Sequence, residues 1–229
     1  MSQVLQPSNP LHPAVLGYKG IFFVISMVIT TNLFSYWLFG GSASDYPTHY
    51  NPSDKLYLLS EASIYVDNVN HFENKIRDVA DQLEIPAEWL MAVIYTESRF
   101  NAKAVNLKGS GATGLIQFMP TTARDFGTST KELKDLDHID QLDYVYKYLQ
   151  NVRNKYGNFK SLTQLYLGIL YPKALEEDDS CLTLFAKPAE AYRMNSGLDE
   201  DKDGVITVKD IDRRMKRIFP TAYMTEKDG

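Results

Sequence analysis

Residues 86–98 read PAEWLMAVIYTES and residues 111–123 read GATGLIQFMPTTA, and these two stretches decide how the chain folds. In the first, Pro86 has the fixed φ that suits the first turn of a helix, and the run after it is apolar enough to be largely buried. In the second, closely spaced glycines exclude a long regular element. The two stretches together predict a buried helix, a glycine-rich loop and a short helix near 121–125.

Apolar residues recur at helical spacing on both sides of these stretches. They are Phe72, Ile76, Val79, Ala80 and Leu83 before them, and Ile139, Leu142, Val145, Tyr146 and Leu149 after them. Gly157 is expected to end the second of these helices, and residues 161–170 predict one more buried helix. No segment shows the alternating pattern typical of a strand. The sequence therefore predicts a mainly α fold.

Composition narrows the possible partners of the 229-residue chain. Its formal net charge is -5 and its basic residues are scattered, so it lacks the positive patch that nucleic acid requires. The single cysteine, Cys181, excludes an intramolecular disulfide and leaves the compartment open. We therefore expect no nucleic-acid partner.

Residues 20–41 form an uncharged run, GIFFVISMVITTNLFSYWLFGG, that is long enough to cross a bilayer as a helix. Lys19 at its near end favours a cytoplasmic N-terminus. A cleaved signal peptide is the main alternative, because small residues follow at 41–44. A buried soluble helix is less consistent with a run that is apolar on all sides. The run predicts a single-pass anchor in the lipid bilayer, with the domain that follows it on the periplasmic (extracytoplasmic) side; a phage virion component is the alternative location.

These features divide the chain into five predicted segments. Residues 1–19 are proline-rich and expected to be disordered, 20–41 form the transmembrane anchor, and 42–54 form a linker. A helical domain is predicted over 55–180. Residues 181–229 form a C-terminal segment with an acidic loop.

Glu97 is the candidate catalytic residue, because it places a carboxyl group at the end of an apolar stripe that also holds Trp89 and Val93. Partial desolvation and the negative end of the helix dipole both raise the pKa of such a carboxyl group. A carboxyl group that is protonated near neutral pH can protonate a glycosidic oxygen. The alternative from this pattern alone is a solvated helix end, in which Glu97 pairs with Arg99.

The two stretches together resemble the soluble lytic transglycosylase family, a lysozyme-like group that acts on peptidoglycan. The resemblance rests on ESRFNAKAVN from Glu97 and GATGLIQFMPTTA from Gly111, and it covers about residues 70–172. It implies a lysozyme-like helical domain with Glu97 as the catalytic acid/base. It also implies that peptidoglycan glycan strands are the partner and that catalysis needs no cofactor.

The same resemblance implies a set of substrate-binding residues: Ser98, Gly114, Leu115, Gln117 and Tyr166. Ile116 would shape the same glycan-binding wall. The alternatives are that Ser98 bonds only to local backbone, that Leu115 and Ile116 belong to the core, that Gln117 is an exposed loop amide, and that Tyr166 is a core aromatic. In the stretch LYLGILYP, Leu167 replaces an asparagine that the family usually carries. This form also resembles transglycosylase domains of phage virion proteins.

As the resemblance implies, the reaction would cleave the β-1,4 bond between N-acetylmuramic acid and N-acetylglucosamine and leave a 1,6-anhydromuramic end. Glu97 would act as both acid and base, because no second carboxylate can be assigned. A hydrolytic lysozyme of the same fold and an inactive wall-binding envelope or virion protein are the alternatives. A glycosidase that uses water or a covalent intermediate normally needs two carboxyl groups.

Residues 199–210 read DEDKDGVITVKD and have the spacing of an EF-hand-like calcium loop. The predicted ligands are Asp199, Asp201, Asp203, the carbonyl of Val205, Thr207 and Asp210. Asp210 stands where glutamate is usual, which predicts weaker binding. With one loop in place of a pair, Ca²⁺ is expected to be structural, and a solvated acidic turn without an ion is the alternative.

Overall fold

A computed structural model describes residues 56–106 and 109–219. The predicted disordered leader (1–19), the transmembrane anchor or signal peptide (20–41) and the linker (42–54) lie outside the described residues. Within the described ranges, every helix is too short or too polar to cross a bilayer.

The described chain is mainly helical, as the sequence predicts. The first seven helices are α1 Leu59–Ala62, α2 Val69–Leu83, α3 Ala87–Ser98, α4 Pro120–Asp125, α5 Thr130–Asp135, α6 His138–Tyr156 and α7 Leu162–Leu170, followed by a 3₁₀ turn at Pro172–Glu176. The predicted helices around 71–83, 87–98, 121–125, 139–156 and 161–170 are confirmed to within about two residues at each end.

Local chemistry explains where these helices start and stop. Asn68, Asp137 and Ser161 each accept a hydrogen bond from the backbone N–H three residues ahead, which satisfies a free donor at the N-termini of α2, α6 and α7. Gly157 ends α6, as predicted. The apolar stripe of α2 is buried and packs against α6, and this helix pair forms part of the hydrophobic core.

The C-terminal part contains two short strands that the sequence pattern does not reveal. Strand β1 (Thr183–Ala186) pairs antiparallel with β2 (Val205–Thr207), with α8 (Glu190–Asn195) and a 3₁₀ turn (Ser196–Leu198) between them. The mainly α character is confirmed, and the two strands are an addition that the sequence pattern did not predict. Strands of three and four residues are too short to show alternation, and β2 lies inside the acidic loop.

Helix α9 (Val208–Ile218) brings the C-terminal part into the same core as the preceding helices. Ile211 and Met215 are fully buried, and the ring of Phe219 contacts Tyr57 and Tyr95 edge-on, with 6.4 Å between centroids in both pairs. The boundary at residue 180, between the helical domain and the C-terminal segment, stays a prediction. Across that boundary, the described residues form one continuous hydrophobic core.

Candidate active site and acidic loop

Glu97 lies in the last turn of α3 and is half-buried. The helix ends abruptly, because Arg99 and Phe100 both have left-handed backbone with φ of 55° and 64°. Two consecutive non-glycine residues in this region are strained, and such strain concentrates at functional sites. The guanidinium of Arg99 lies over the ring of Tyr95, 4.1 Å from its centroid. The structure therefore gives Arg99 a ring partner in place of the pairing with Glu97 that was considered as the alternative.

The environment of Glu97 favours its protonated form. Desolvation by the surrounding protein raises the pKa of Glu97 to about 7, although a hydrogen-bonding interaction with the Tyr166 hydroxyl and the positive charge of Arg214 both lower it. A carboxyl group with this pKa is about half protonated at neutral pH. It can therefore donate a proton to a ligand and later accept one.

Two tyrosines share the environment of Glu97. Tyr166, on α7, is 4% exposed, and burial together with the negative charge of Glu97 holds the pKa of its hydroxyl well above its usual value. Burial and the charges of Tyr156 and Glu97 raise the pKa of Tyr148 to about 12. Both hydroxyls therefore stay neutral and act as hydrogen-bond donors. Tyr148 donates to the carbonyl of Gly168 at 2.9 Å.

The glycine-rich loop is fixed from behind by Gln141, which is fully buried on α6. Its side-chain oxygen accepts from the N–H of Leu115 at 3.0 Å, and its amide nitrogen donates to the carbonyls of Ala102 and Leu133 at 2.7 and 2.6 Å. Gly114 has a φ of +85°, and a Cβ there would lie 2.5 Å from the Gln141 oxygen. Both the backbone conformation and the close approach require glycine at this position.

Gln117 stabilises the glycine-rich loop by a hydrogen bond inside the loop. It has left-handed backbone with φ of 54°, and its amide nitrogen donates to the carbonyl of Gly114 at 3.0 Å. Next to it, Thr113 forms bridges with Val105 and Phe118. The loop is therefore a tight, hydrogen-bonded turn, and the amide donors of Gln117 are already partly committed to it.

The structure places the other predicted substrate-binding side chains mostly inside the protein. Ser98 is buried and donates to the carbonyl of Ile94 at 3.2 Å, which is the local role considered as the alternative. Leu115 is 0% and Ile116 2% exposed, so their side chains belong to the core. They support the loop, and the prediction that the Leu115 side chain contacts substrate is not supported by its burial.

Leu167, at the position of the family asparagine, is also buried. It lines a cavity of about 210 Å³ between α7, α9 and the turn after residue 172, and Glu97 is not among the residues that line this cavity. The cavity therefore lies apart from the candidate catalytic residue, and Leu167 contributes apolar packing there.

Three residues of the site are missing from the sequence-based set: Gln141, Tyr148 and Arg214. A signal existed for Gln141, because it shares one helical face with Val145 and Leu149, where a polar residue is unusual. Tyr148 lies within a predicted helix without a distinguishing pattern. Arg214 follows Glu97 by more than a hundred positions, so its proximity depends entirely on tertiary structure.

The acidic loop brings three of its predicted metal ligands together. Carboxylate oxygens of Asp199, Asp201 and Asp203 lie within 4.8 Å of one another. Oδ1 of Asp199 and Oδ1 of Asp210 are buried and accept no hydrogen bond among the described residues, and the Arg213 guanidinium lies 3.7 Å from the Asp210 oxygen. The Tyr192 hydroxyl donates to Asp199 at 2.7 Å and lowers its pKa, which keeps this carboxylate ionised. Buried carboxylate oxygens without donors fit a hard cation such as Ca²⁺.

Other contacts shape this loop and compete for its ligands. Gly204 makes the central turn with a φ of +94°. Thr207 and Asp210 form a capping box at the start of α9, so the Thr207 hydroxyl is committed to Asp210 at 2.6 Å. The guanidinium of Arg213 pairs with Asp201 at 2.8 Å. An incoming cation would therefore displace this arginine from Asp201.

Residues 74–171 match the family model described as the transglycosylase SLT domain. The matched region contains Glu97, the glycine-rich loop and Tyr166, and members of this family are lytic transglycosylases. The match supports the lytic transglycosylase and lysozyme-like assignment of this region, with peptidoglycan as the substrate class. The acidic loop lies beyond the matched region. No solved structure matches the chain.

Proposed function

We propose that this protein is a lytic transglycosylase that cleaves the β-1,4 bond between N-acetylmuramic acid and N-acetylglucosamine, with Glu97 as its single acid/base. The observation that carries the proposal is the half-buried Glu97 carboxyl group, whose pKa desolvation raises to about 7. The SLT match supplies the substrate class.

Glu97 is the one carboxyl group that we assign to the site, and a single acid/base favours the lyase over a hydrolase. The interactions that shift the pKa of Glu97 come from Tyr166 and Arg214, and in the described part of the chain no other carboxylate contributes. Hydrolysis with retention or inversion normally uses two carboxyl groups flanking the bond. One carboxyl group suffices when a hydroxyl group of the sugar is the nucleophile.

In the proposed reaction Glu97 donates its proton to the glycosidic oxygen, and the bond from the muramic C1 to that oxygen breaks. The acetamido group of the muramic residue stabilises the positive charge that develops at C1. Glu97, now a carboxylate, accepts the proton of the muramic 6-hydroxyl as O6 bonds to C1. The products are a 1,6-anhydromuramic end and a free 4-hydroxyl on N-acetylglucosamine, and no water is consumed.

Product analysis of residues 50–229 on purified sacculi tests this function. We expect muropeptides lighter by one water than hydrolytic products, and a loss of activity of about 100-fold or more in Glu97→Gln, the range for a lost general acid/base. Glu88→Gln is the matched control, because Glu88 lies half-buried in the first turn of the same helix. It should retain full activity.

The two alternative functions give different results in the same experiment. Reducing ends in place of anhydro ends would identify a hydrolytic lysozyme. Binding of sacculi without cleavage, equal in wild type and Glu97→Gln, would identify an inactive wall-binding envelope or virion protein. Either result would overturn the lyase proposal.

We further propose that residues 199–210 bind Ca²⁺ as a structural ion. The support is the grouping of Asp199, Asp201 and Asp203 and the two buried carboxylate oxygens without hydrogen-bond donors, one on Asp199 and one on Asp210. Val205, through its carbonyl, completes the proposed ligand set, and Thr207 acts through water. The ion would hold together the loop from which α9 starts.

The location proposed for this protein follows from its substrate. Peptidoglycan lies outside the cytoplasmic membrane, and residues 20–41 have the composition of a single span. We propose that this span anchors the enzyme with its catalytic region on the extracytoplasmic side. Extraction of membranes at alkaline pH tests the anchor, since an intact chain should stay in the pellet. A released chain that begins after residue 41 would instead identify a cleaved signal peptide.

A further inference from the structure

Arg213, in the second turn of α9, contacts two proposed calcium ligands with a single nitrogen atom. Its Nη1 pairs with Oδ2 of Asp201 at 2.8 Å and lies 3.7 Å from Oδ1 of Asp210. Asp201 is the third residue of the acidic loop and Asp210 is the last. One positively charged nitrogen therefore lies between two carboxylates that a bound cation would share.

The start of α9 fixes this arrangement. Arg213 follows Asp210 by three residues, which places the two side chains on one face of the helix. Oδ2 of Asp210 accepts from the N–H and the hydroxyl of Thr207, at 2.9 and 2.6 Å. Oδ1 of Asp210 is buried and accepts no hydrogen bond among the described residues. This second oxygen is therefore the one that Asp210 can offer either to the guanidinium group or to a metal ion.

The other carboxylates of the loop add negative charge around the same nitrogen. Ligand oxygens of Asp199, Asp201 and Asp203 lie within 4.8 Å of one another. The hydrogen bond to Asp201 raises the pKa of Arg213, and the charges of Asp210 and Asp203 act in the same direction. Four carboxylates thus surround one arginine, and a single positive charge cannot neutralise them. The remaining charge attracts a divalent cation.

We propose that Arg213 is an intramolecular competitor of Ca²⁺: its guanidinium group pairs with Asp201 and Asp210 when the ion is not bound, and it must leave Asp201 before the ion can bind. This role rests on the calcium site proposed above and names the residue that regulates it. It makes the calcium affinity lower than the ligand set alone would give. It also gives the loop a positive charge of its own when Ca²⁺ is scarce.

The competition has an electrostatic and a geometric cause. A cation bound by Asp201 and Asp210 would repel a guanidinium group that contacts the same two oxygens. Ion binding must therefore break the pair between Arg213 and Asp201, and the two events oppose each other by the same factor. One exposed ion pair changes an equilibrium constant by up to about fivefold. The Arg213 side chain is 42% exposed, so it can turn into solvent without disturbing the core.

Calcium titration calorimetry of the full-length chain in detergent tests the proposal, with Arg213→Met as the neutral variant. We expect Arg213→Met to bind Ca²⁺ about fivefold more tightly than wild type. Arg213→Lys, which keeps the charge on a different head group, should fall between the two. In EDTA, Arg213→Met should melt at a lower temperature than wild type. Saturating Ca²⁺ should raise its melting temperature by more than that of wild type.

Arg217→Met is the matched control. Arg217 lies one turn further along α9 and pairs at 2.7 Å with Glu200, a loop residue outside the proposed ligand set. The variant removes the same charge and also one ion pair to the loop. At about 0.15 M salt, charges more than about 8 Å apart are largely screened. We therefore expect its calcium affinity to stay within about twofold of wild type.

Equal calcium affinities of wild type and Arg213→Met would overturn the competitor role and leave the calcium site intact. The role also fails if Arg217→Met tightens binding as much as Arg213→Met, since the effect would then come from net charge. Binding by none of the variants would overturn the calcium site and the competitor role together. Binding by Arg213→Met alone would support the role most strongly. Peptidoglycan cleavage enters none of these measurements.

Discussion

Gln141 accepts a hydrogen bond from the backbone N–H of Leu115 at 3.0 Å, and this bond ties the glycine-rich loop to helix α6. The same amide donates to the carbonyls of Ala102 and Leu133. One buried side chain thus satisfies three backbone groups from three separate segments. The position of the loop relative to Glu97 depends on this junction.

Gln141→Leu is expected to be strongly destabilising. It leaves the backbone N–H of Leu115 buried without a partner and removes a donor from the carbonyls of Ala102 and Leu133, and we expect the free energy of unfolding to fall by about 3 kcal/mol or more. Urea unfolding followed by circular dichroism measures this change. Gln82→Leu, the same substitution at an exposed position of α2, should change stability by less than about 0.5 kcal/mol. Equal effects of the two changes would contradict the role assigned to Gln141.

Gly114→Ala should destabilise the protein more than Gly127→Ala. Both glycines have left-handed backbone, with φ of +85° and +73°, but only at Gly114 does a Cβ meet another side chain, 2.5 Å from the Gln141 oxygen. At Gly127 the substitution costs about 1 kcal/mol, because alanine disfavours left-handed backbone. At Gly114 the added Cβ must also displace the side chain of Gln141, and we expect the free energy of unfolding to fall by about 3 kcal/mol. Similar melting temperatures for both variants would show that the contact between a Cβ at position 114 and the Gln141 oxygen does not affect stability.

The raised pKa of Glu97 predicts a pH-dependent stability with a definite sign. Since the folded-state pKa is about 7 and the ordinary value is 4.5, the folded protein binds more protons between these pH values. The contribution of Glu97 to the free energy of unfolding is fully present below about pH 4.5 and is lost as the pH rises through about 7. Glu97→Gln should therefore raise the melting temperature by a few degrees at pH 8, corresponding to about 2 kcal/mol after allowance for partial exposure.

At pH 4.5 the same variant should melt close to wild type, because both side chains are then neutral. Thermal scans from pH 4 to 9 measure the difference, with Glu88→Gln as the control whose difference from wild type should not depend on pH. A constant difference between Glu97→Gln and wild type across this range would rule out a raised pKa for Glu97.

Tyr166→Phe should move the alkaline limb of the activity profile to higher pH. The Tyr166 hydroxyl lowers the pKa of Glu97, so its removal raises that pKa. We expect a shift of about half a unit and a fall in kcat of about tenfold, since the hydroxyl also stabilises the carboxylate formed during the reaction. Tyr171→Phe, just after the same helix, is the control and should retain the wild-type profile. If the alkaline limb is unchanged in Tyr166→Phe, the Tyr166 hydroxyl does not affect the pKa of Glu97.

Calcium is expected to stabilise residues 50–229. Saturating Ca²⁺ should raise the melting temperature relative to EDTA by an amount that grows with calcium concentration. Asp201→Ala should abolish this increase, because it removes one of the three grouped carboxylates. Asp178→Ala removes the same charge from an exposed position outside the loop and should preserve it. Identical melting of the wild type with and without Ca²⁺ would exclude the proposed ion.

The sequence by itself determined the helical character of the described chain, the apolar helix that ends in Glu97, and the glycine-rich loop. These are local properties: helical periodicity, a proline at a helix start and glycines at positions of positive φ. The grouping of Asp199, Asp201 and Asp203 was equally predictable, since alternating positions in one short loop are near one another in any fold of that loop.

Tertiary structure alone decided which side chains surround Glu97. The positions of Tyr148, Tyr166 and Arg214 depend on how α6, α7 and α9 pack against α3, and no local pattern encodes contacts between residues so far apart. It also decided that Leu115 and Ser98 lie inside the protein, because burial depends on what packs over a segment. The Glu97 carboxyl group could be recognised from its own helix, but the charge of Arg214, which lowers its pKa, could be found only in the folded chain.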